Sequence, residues 1–424
     1  MLLTLLLPSK YSRDTTILYW LLWGFIATLY WQPTMIITNI FIGLIFCYSF
    51  YYNRTISFFS MIKKRWYLIF MLLFFLWSIT SVLLSTNQHS GWSTLQLRIP
   101  LLLFTCSVGL LQIPRELFDK LLYWFSLFTV VAAILCITAA LRQTMQSGNS
   151  AYLYNDALTS FTGKQSIYIS TLVNLSVFSI IYLLSSTSLP GKPLLYFFLL
   201  VLFVFSFLLA GRNAMIVLYS FILLYAFLYL LKNKKYLELF TLLIGMIIGI
   251  VVLFKLFPKT FNRFKELTYT NYNYSNTSDE AHYAGTLTAD QWNGANFRLA
   301  VWRCGWEMAK SNFLTGVGLG DRKDILFAIY EKKNFTMAIK TKKNLHNQYL
   351  DILSSLGVIG LIFFMLGFII GPLVYAVKRK NLLALAVILT FAFALITDNF
   401  LDRSFSTIVF SFFIPFILVI NNQD

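Results

Sequence analysis

The chain has 424 residues, of which 58% are hydrophobic and only 12% are charged. Its 42 Phe, 24 Tyr and 10 Trp exceed what a water-soluble domain of this length can hide in its core, so the bilayer is the expected solvent. The formal net charge of +17 is attributed mainly to Lys and Arg in cytoplasmic loops, and no nucleic-acid partner is expected.

Twelve hydrophobic runs of near-spanning length follow one another along the chain, and each is predicted to form a helix across ~30 Å of hydrocarbon. They lie at 17–31, 33–52, 67–84, 98–112, 117–140, 166–187, 192–209, 213–231, 236–257, 349–376, 380–397 and 404–420. The first run leads directly into the second without a small-residue cleavage site, so it is interpreted as a retained anchor. The sequence therefore predicts an all-α polytopic membrane protein with helices in 1–257 and 349–424 and one large loop at 258–348.

Orientation is predicted from the short loops, because Lys and Arg accumulate on the cytoplasmic side of membrane proteins. With a cytoplasmic N-terminus, fifteen Lys or Arg fall in inner loops and five in short outer loops, namely Arg98, Arg142, Lys164, Arg212 and Arg403. Both termini are therefore predicted to be cytoplasmic, and the segment 258–348 is predicted to lie outside.

Arg212 is the most informative charge among the membrane helices. It stands in LLAGRNAMIV, between two apolar runs, where an unpaired cation at the hydrocarbon edge is costly. One interpretation is that its long side chain reaches the lipid headgroups. The other is that the Gly-Arg-Asn break holds an anion at the membrane surface, and the sequence favours neither.

The large loop contains thirteen Lys or Arg and eight Asp or Glu, an excess that the positive-inside rule does not explain on the outer side. Residues 296–310 are predicted to form a helix with Trp302 and Trp306 on one face, suited to the membrane interface, and this helix leads to the glycine turn GVGLG (316–320). Lysines of 332–343 are interpreted as headgroup contacts. Arg298 is interpreted as a phosphate ligand, because its guanidinium forms a planar fork.

All three histidines, His89, His282 and His346, are predicted to lie outside the membrane. His89 and His282 occur in polar surface segments and are interpreted as structural. His346 lies in LHNQYL, directly before a membrane helix, where an imidazole is suited to take a proton from a hydroxyl nucleophile.

Asp398 and Asp402, in LITDNFLDRSF, form an acidic site at the outer end of the last helical hairpin. Arg403 is expected to satisfy Asp402, which leaves Asp398 to orient a histidine or pair with an arginine. A helix cap at residues 397–399 is the alternative.

No metal site or cofactor is expected. Cys47, Cys106 and Cys136 fall inside apolar runs and Cys304 is alone in the large loop, so no pair is suited to a disulfide or a metal. No Asp-x-Asp occurs in an outer loop to hold a cation on a diphosphate. Stabilisation of a leaving anion is therefore assigned to Arg and Lys.

In combination these motifs resemble the O-antigen ligase and polymerase superfamily of bacterial envelope glycan assembly. The resemblance rests on AGRNAM between two spans, a large outer loop late in the chain, NFRLAVWRCGWEMAKSNFLTGVGLG, and LHNQYLDILSSLGVIGL at the next helix. It covers about a third of the chain, and the remaining similarity is hydropathy alone. In this chain the Gly-x-Gly is followed by Asp321-Arg322-Lys323 where the family has an aromatic residue.

The resemblance implies a GT-C-like glycosyltransferase of the bacterial inner membrane. Such an enzyme transfers a glycan from undecaprenyl diphosphate to an acceptor hydroxyl at the periplasmic face, without metal or nucleotide sugar. By position, Arg212 and Arg298 resemble the diphosphate-contacting arginines of the family, His346 its base, and Asp398 an acidic residue near the last outer turn. Further substrate contacts are expected from Arg98, Arg303, Asn347 and Tyr349.

Ligase, polymerase and protein O-oligosaccharyltransferase share these residues and differ in the acceptor: a lipid A-core sugar, a second lipid-linked repeat, or a Ser/Thr side chain. The lack of an appended soluble domain argues against the protein acceptor, and the moderate length fits a ligase or a polymerase. Ligation to lipid A-core is the interpretation adopted, with the polymerase as the alternative. A lipid-linked oligosaccharide flippase would place ionisable or broken-helix sites near mid-membrane in two similar halves. The charges here concentrate at one face instead.

Overall fold

The computed structural model describes residues 11–31, 34–54, 58–185, 191–256, 268–278 and 291–420. The interpretations of His282 and of the loop cations Lys259, Arg263 and Lys265 lie outside these ranges. Within them every regular element is helical, apart from one isolated bridge between Ile113 and Ile420. The prediction of an all-α chain is confirmed.

A helix is present at each apolar run that hydropathy identified, and shorter helices connect some of them. The α-helices are α1 (Arg13–Thr28), α2 (Met35–Tyr52), α3 (Phe58–Lys64), α4 (Tyr67–Leu83), α5 (Gln88–Cys106), α6 (Arg115–Ser147), α7 (Asn155–Leu158), α8 (Ser166–Ser185), α9 (Lys192–Leu209), α10 (Arg212–Lys232), α11 (Tyr236–Leu256), α12 (Asn296–Ser311), α13 (Arg322–Lys332), α14 (Thr336–Lys340), α15 (Gln348–Phe364), α16 (Gly371–Lys378), α17 (Leu382–Thr397) and α18 (Ser404–Phe416). A π-helix at Met365–Ile370 joins α15 to α16, and a 3-10 turn at Phe400–Asp402 precedes α18.

By length and composition, seven helical stretches of the described chain are long and apolar enough to cross a membrane. These are Met35–Tyr52, Gln88–Leu110, Arg115–Ser147, Ser166–Ser185, Lys192–Leu209, Arg212–Lys232 and Gln348–Lys378. Four shorter apolar helices accompany them, at Tyr67–Leu83, Tyr236–Gly249, Leu382–Thr397 and Ser404–Phe416. The chain is a multi-pass membrane protein, whereas the count of twelve spans, the orientation and the periplasmic position of the loop stay predictions.

The largest difference from the hydropathy prediction concerns α5. Its apolar run was predicted to begin at residue 98, which put Arg98 at an outer loop, but the helix begins ten residues earlier at Gln88. The first half of α5 is polar in sequence, and the side chain of Asn87 caps it by accepting a hydrogen bond from the Ser90 N–H. Arg98 is therefore inside a helix and fully buried, and the loop assignment was wrong.

The core of the bundle surrounds α18, whose residues from 405 to 416 are all buried. Phe412 lies 4.5 Å from Phe25 of α1 and 5.3 Å from Phe104 of α5, measured between ring centroids. In a bilayer, helices associate through such van der Waals packing because lipid tails are as apolar as the side chains. The abundant Phe thus fills contacts between helices as well as facing lipid.

The glycine turn is joined to a break inside α15. Gly357 has φ +67° and ψ −173°, which interrupts the helix and frees carbonyl groups one turn before it. The Ser354 and Ser355 carbonyls accept hydrogen bonds of 2.9 and 3.0 Å from the N–H groups of Val317 and Gly318. The turn after α12 therefore replaces the missing hydrogen bonds of the helix and fixes the segment that carries α12 to the helical bundle.

Asp321, which directly follows the glycine turn, fixes this turn to the link between α4 and α5. The carboxylate of Asp321 accepts hydrogen bonds of 2.9 and 2.7 Å from the N–H groups of Thr86 and Asn87, at the link between α4 and α5. The departure from the family pattern at position 321 thus has a structural explanation in this chain.

Candidate functional site

A cleft of about 740 Å³ opens where one end of α8, α10 and α17 meets α12. Four residues predicted from the sequence line it: Arg212, Arg298, His346 and Asp398. They come from widely separated parts of the chain. The volume is within the range of ~300–1,000 Å³ that is usual for ligand sites, and we call this cavity the His346 cleft.

His346 and Asp398 form a pair in the cleft. The imidazole Nδ1 lies 3.4 Å from Asp398 Oδ1, and both side chains are largely buried. Burial disfavours the charged form of Asp398, but the interaction with His346 outweighs it, so the pKa of this carboxyl lies below its usual range. An ionised Asp398 favours the imidazole tautomer that carries its hydrogen on Nδ1, which leaves Nε2 as a proton acceptor.

His346 has a left-handed backbone conformation, with φ +47°, which is uncommon for a residue other than glycine. Side chains on both sides hold it there. The His346 N–H donates to Asn344 Oδ1 at 3.2 Å, and the Asn347 N–H donates to Asn399 Oδ1 at 2.7 Å. A strained conformation fixed in this way is frequent at functional sites.

Arg298 lies in the first turn of α12 with its guanidinium held by main-chain oxygens. Its Nη1 donates to the Gly294 carbonyl at 2.7 Å, and its Nε donates to the Thr397 carbonyl at 3.3 Å. Since Thr397 directly precedes Asp398, these bonds link α12 to the His346–Asp398 pair. The orientation of the guanidinium toward the cleft is thereby restricted.

Arg212 is the first residue of α10, and the turn before it is packed tightly. A Cβ at Gly211 would approach Ser170 Oγ of α8 to 2.8 Å, and Asn213 Nδ2 donates to Thr397 Oγ1 at 2.6 Å. The Gly-Arg-Asn break thus joins α8, α10 and α17 beside the cleft. The positive end of the α10 dipole adds to the Arg212 charge.

A buried charge cluster, consisting of Arg98, Arg322, Asp351 and Asp402, lies behind the cleft. Arg322 donates to Asp351 Oδ2 at 2.5 Å and to Asp402 Oδ1 at 2.6 Å, and Arg98 Nη2 lies 3.7 Å from Asp351 Oδ2. Two cations are thus balanced by two carboxylates. The expectation that Arg403 satisfies Asp402 was wrong, because the cation that contacts Asp402 is Arg322.

The buried charge cluster also fixes the segments that carry His346 and Asp398. Asp402 Oδ2 accepts hydrogen bonds from Asn344 Nδ2 at 3.1 Å and from Asn399 Nδ2 at 3.2 Å. One of these asparagines lies two residues before His346, and the other directly follows Asp398. A single carboxylate therefore holds the two chain segments together.

Acidification is expected to remove the contribution of Asp402 to stability. Burial opposes ionisation of this carboxyl, but Arg322 lowers its pKa from the ordinary value to about 2. A carboxyl with a lower pKa in the folded chain stabilises it fully above the unfolded pKa, and the contribution is lost as the pH falls through the folded value. The melting temperature of the purified protein is therefore expected to fall between about pH 4 and pH 2.

The matching variant is Asp402→Asn. At neutral pH its melting temperature should be lower than that of the wild type, and on acidification its melting temperature should fall less steeply. Glu331→Gln, an exposed carboxyl, should keep the wild-type decline. If the melting temperatures of the wild type and of Asp402→Asn fell equally with pH, ionised Asp402 would not be the source of the lost stability.

The remaining predicted substrate contacts do not line the His346 cleft. Arg98 belongs to the buried charge cluster, and Arg303 is exposed on α12. Asn347 caps α15 by accepting the Leu350 N–H, and the Tyr349 hydroxyl donates to the Ala392 carbonyl at 2.8 Å. Their roles in substrate binding stay predictions.

The two tryptophans of α12 lie in different surroundings. Trp302 lines the His346 cleft, and its Nε1 is buried without a hydrogen-bond partner in the part of the chain that the structure describes. Trp306 is 46% exposed. The donor on Trp302 is available for a polar ligand in the cleft.

Sequence reasoning missed one wall of the cleft. It is lined by four residues from the polar link between α6 and α8, namely Tyr154, Asn155, Asp156 and Gln165. Asp156 accepts a hydrogen bond of 2.7 Å from the Ser166 N–H at the start of α8. The only signal in the sequence was that this link is polar and longer than a turn requires.

Among the described residues, no group of three or more His, Cys, Asp or Glu is arranged to hold a metal ion. The cleft instead combines cations with a histidine–carboxylate pair. Arg212, Arg298 and Lys343 face the same cavity as His346. This arrangement suits a ligand with negative charge next to a hydroxyl that must lose a proton.

Comparison with known proteins agrees with these features. Residues 195–365 match a family model described as O-Antigen ligase. The matched segment includes Arg212, Arg298, the glycine turn and His346, and it ends before Asp398. No curated protein matches the chain. The resemblance predicted from the motifs is confirmed.

Proposed function

Because residues 195–365 match the O-antigen ligase family model, we propose that the chain is a membrane glycosyltransferase acting at the His346 cleft. Its donor is a glycan carried on undecaprenyl diphosphate, and its acceptor is a sugar hydroxyl at the periplasmic face of the bacterial inner membrane. The observation that carries the proposal is the convergence of two arginines and a histidine–carboxylate pair on one cavity at the end of the bundle.

Arg298 and Arg212 are assigned to the diphosphate of the donor. A guanidinium presents parallel N–H donors that match phosphate oxygens, and its charge stabilises the anion that develops as the sugar leaves. Lys343, which also lines the cleft, adds a third positive charge. No step of this reaction requires a metal ion.

His346 is assigned as the base. Its Nε2 removes the proton of the acceptor hydroxyl while the oxygen attacks the anomeric carbon of the donor sugar. The bond from that carbon to the diphosphate oxygen breaks, and the electron pair leaves with undecaprenyl diphosphate. Asp398 holds the ring through Nδ1 and stabilises the imidazolium that forms. A single displacement of this kind inverts the anomeric centre.

The acceptor we favour is lipid A-core, so that the reaction completes lipopolysaccharide. The alternative within the family is a polymerase, whose acceptor is a second lipid-linked repeat. The test is an assay of purified protein with lipid-linked glycan, with and without lipid A-core, analysed by gel mobility. Transfer that requires lipid A-core supports ligation, and ladder growth without it indicates polymerisation. Movement of the donor across a liposome membrane without any transfer would instead favour a flippase and overturn the proposal.

Arg298→Lys is expected to weaken use of the donor. Lysine keeps the charge but loses the planar fork and one of the two bonds to main-chain carbonyls. Loss of a hydrogen bond to a charged group costs about 1.5–3 kcal/mol, so kcat/KM for the lipid-linked donor should fall roughly 10- to 100-fold.

The matched control is Arg142→Lys, at an exposed position near the end of α6 and outside the cleft. It should leave kcat/KM unchanged. An Arg298→Lys enzyme with wild-type donor kinetics would argue against diphosphate contact.

A further inference from the structure

A second cleft, of about 440 Å³, lies beside the last turns of α8, the first turn of α17 and the middle of α10, away from the residues of these helices that line the His346 cleft. Ser185 of α8, Tyr225 of α10 and Leu382 of α17 line it, together with Arg379 from the link after α16. We call it the Arg379 cleft. It shares no lining residue with the His346 cleft, so the proposed glycosyl transfer does not account for it.

The Arg379 cleft is apolar along its walls and cationic at its mouth. The walls are formed mainly by Phe178, Ile181, Phe221, Ile222, Leu224 and Leu383. The cations are Arg115, Arg379 and Lys380, all at exposed positions. Within the described chain, its lining contains no Asp or Glu. A ligand matched to this surface carries negative charge at one end and an apolar chain behind it.

The carboxylates closest in sequence to Arg115 have other partners. Glu116 pairs with Lys120 at 2.8 Å and accepts a hydrogen bond from the Tyr11 hydroxyl at 2.8 Å. Asp119 is buried and interacts with the Tyr182 hydroxyl. The Tyr182 hydroxyl also interacts with Arg115, so Asp119 offsets part of the Arg115 charge, and Arg379 and Lys380 supply the remaining positive charge at the mouth.

The walls include apolar side chains that other parts of the described chain leave exposed. Leu224 is 55% exposed, Tyr225 52% and Leu382 60%; the first two belong to a helix that is long and apolar enough to cross a membrane, and the third to a shorter apolar helix. A membrane lipid covers such an apolar surface and keeps it out of contact with water. The basic side chains lie where the helices end, which is the depth of lipid headgroups.

We propose that the Arg379 cleft is a binding site for one anionic phospholipid. Its headgroup phosphate contacts Arg115, Arg379 and Lys380, and an acyl chain lies along the walls of α8 and α10. A zwitterionic lipid presents an additional positive group to the same three cations and is bound more weakly.

The test is native mass spectrometry of the purified full-length protein in a neutral detergent. The protein is incubated with equal amounts of dioleoyl-phosphatidylglycerol and dioleoyl-phosphatidylcholine, which differ only in the headgroup. We expect retention of one phosphatidylglycerol in preference to phosphatidylcholine. In the triple variant R115Q/R379Q/K380Q the affinity for phosphatidylglycerol should fall by on the order of 100-fold, since each cation near an anionic headgroup is worth roughly a factor of five.

The matched control is K232Q/K234Q/K235Q, which removes the same charge from the link between α10 and α11, outside the cleft. It should retain the wild-type preference. Leu224→Trp keeps every charge but narrows the apolar wall at an exposed position, and it should also weaken retention. This second variant keeps the test decisive if the triple variant fails to fold.

Three results would overturn the proposal. They are equal retention of the two lipids by the wild type, equal loss in the cleft and control triple variants, and full displacement of phosphatidylglycerol by excess glycerol 3-phosphate. The last result would mean that the cleft recognises a soluble phosphate and that the apolar walls contribute nothing.

Discussion

Replacement of His346 by asparagine is expected to lower glycan transfer by roughly 10²- to 10⁴-fold, the usual contribution of a general base. Asparagine is the preferred substitute because it tolerates the left-handed backbone at φ +47° better than alanine and cannot take up the proton of a hydroxyl. Affinity for the donor should change little, because the arginines assigned to the diphosphate remain. The measurement is the initial rate of transfer at saturating donor, with binding of the lipid-linked glycan determined separately.

The control for this variant is His89→Asn, at an exposed position at the start of α5 and outside the cleft. It should leave the rate unchanged. Glycan transfer at the wild-type rate by His346→Asn would contradict the assignment of His346 as the base. The assignment of the donor site would still be tested separately by Arg298→Lys.

Arg322→Ala is expected to destabilise the fold by about 3–5 kcal/mol, the range for removal of one partner from a buried ion pair. The variant leaves Asp351 and Asp402 buried close together without the cation that donates to both. Arg98 remains near Asp351, but at 3.7 Å it makes no hydrogen bond to it. We expect a marked drop in the melting temperature of the detergent-purified protein and a lower yield of inserted chain.

Lys323→Ala provides the comparison, since it removes the next cation along α13 at an exposed position. Its effect should stay within about 0.5 kcal/mol. The destabilisation caused by Arg322→Lys should lie between those of Arg322→Ala and Lys323→Ala, because one ammonium group cannot reproduce the contacts of the guanidinium with both carboxylates. If Arg322→Ala and Lys323→Ala melted alike, the buried charge cluster would not be a source of stability.

The helices could be predicted well because a segment that crosses a bilayer must be apolar over most of its length. A stretch that crosses hydrocarbon must satisfy its own main-chain hydrogen bonds, so an apolar run of sufficient length becomes a helix. The run predicted at 192–209 coincides with α9. The prediction failed at α5, where polar residues are hidden against other helices and hydropathy gives no signal.

Candidate site residues could be proposed where a single position violated the apolar pattern. Arg212 between two spans and Asp398 at the last hairpin were of this kind, and both line the cleft with His346. Contacts between distant segments could not be inferred in the same way. Asp402 was expected to pair with its neighbour Arg403, but Arg403 has an extended backbone, in which adjacent side chains point in opposite directions. The cation that Asp402 does contact, Arg322, lies eighty residues earlier.

The junction between the glycine turn and the broken helix has a consequence for exchanging parts between relatives. The loop from α12 to His346 supplies main-chain donors to carbonyls that only an interrupted α15 offers, and a Cβ at Gly357 would approach the Leu314 carbonyl oxygen to 2.1 Å. A chimera that grafts only the segment from α12 to His346 would join two surfaces that were not selected for each other. The smallest transplantable unit runs from the start of α12 to beyond Gly357, so this segment must be exchanged together with a piece of membrane helix.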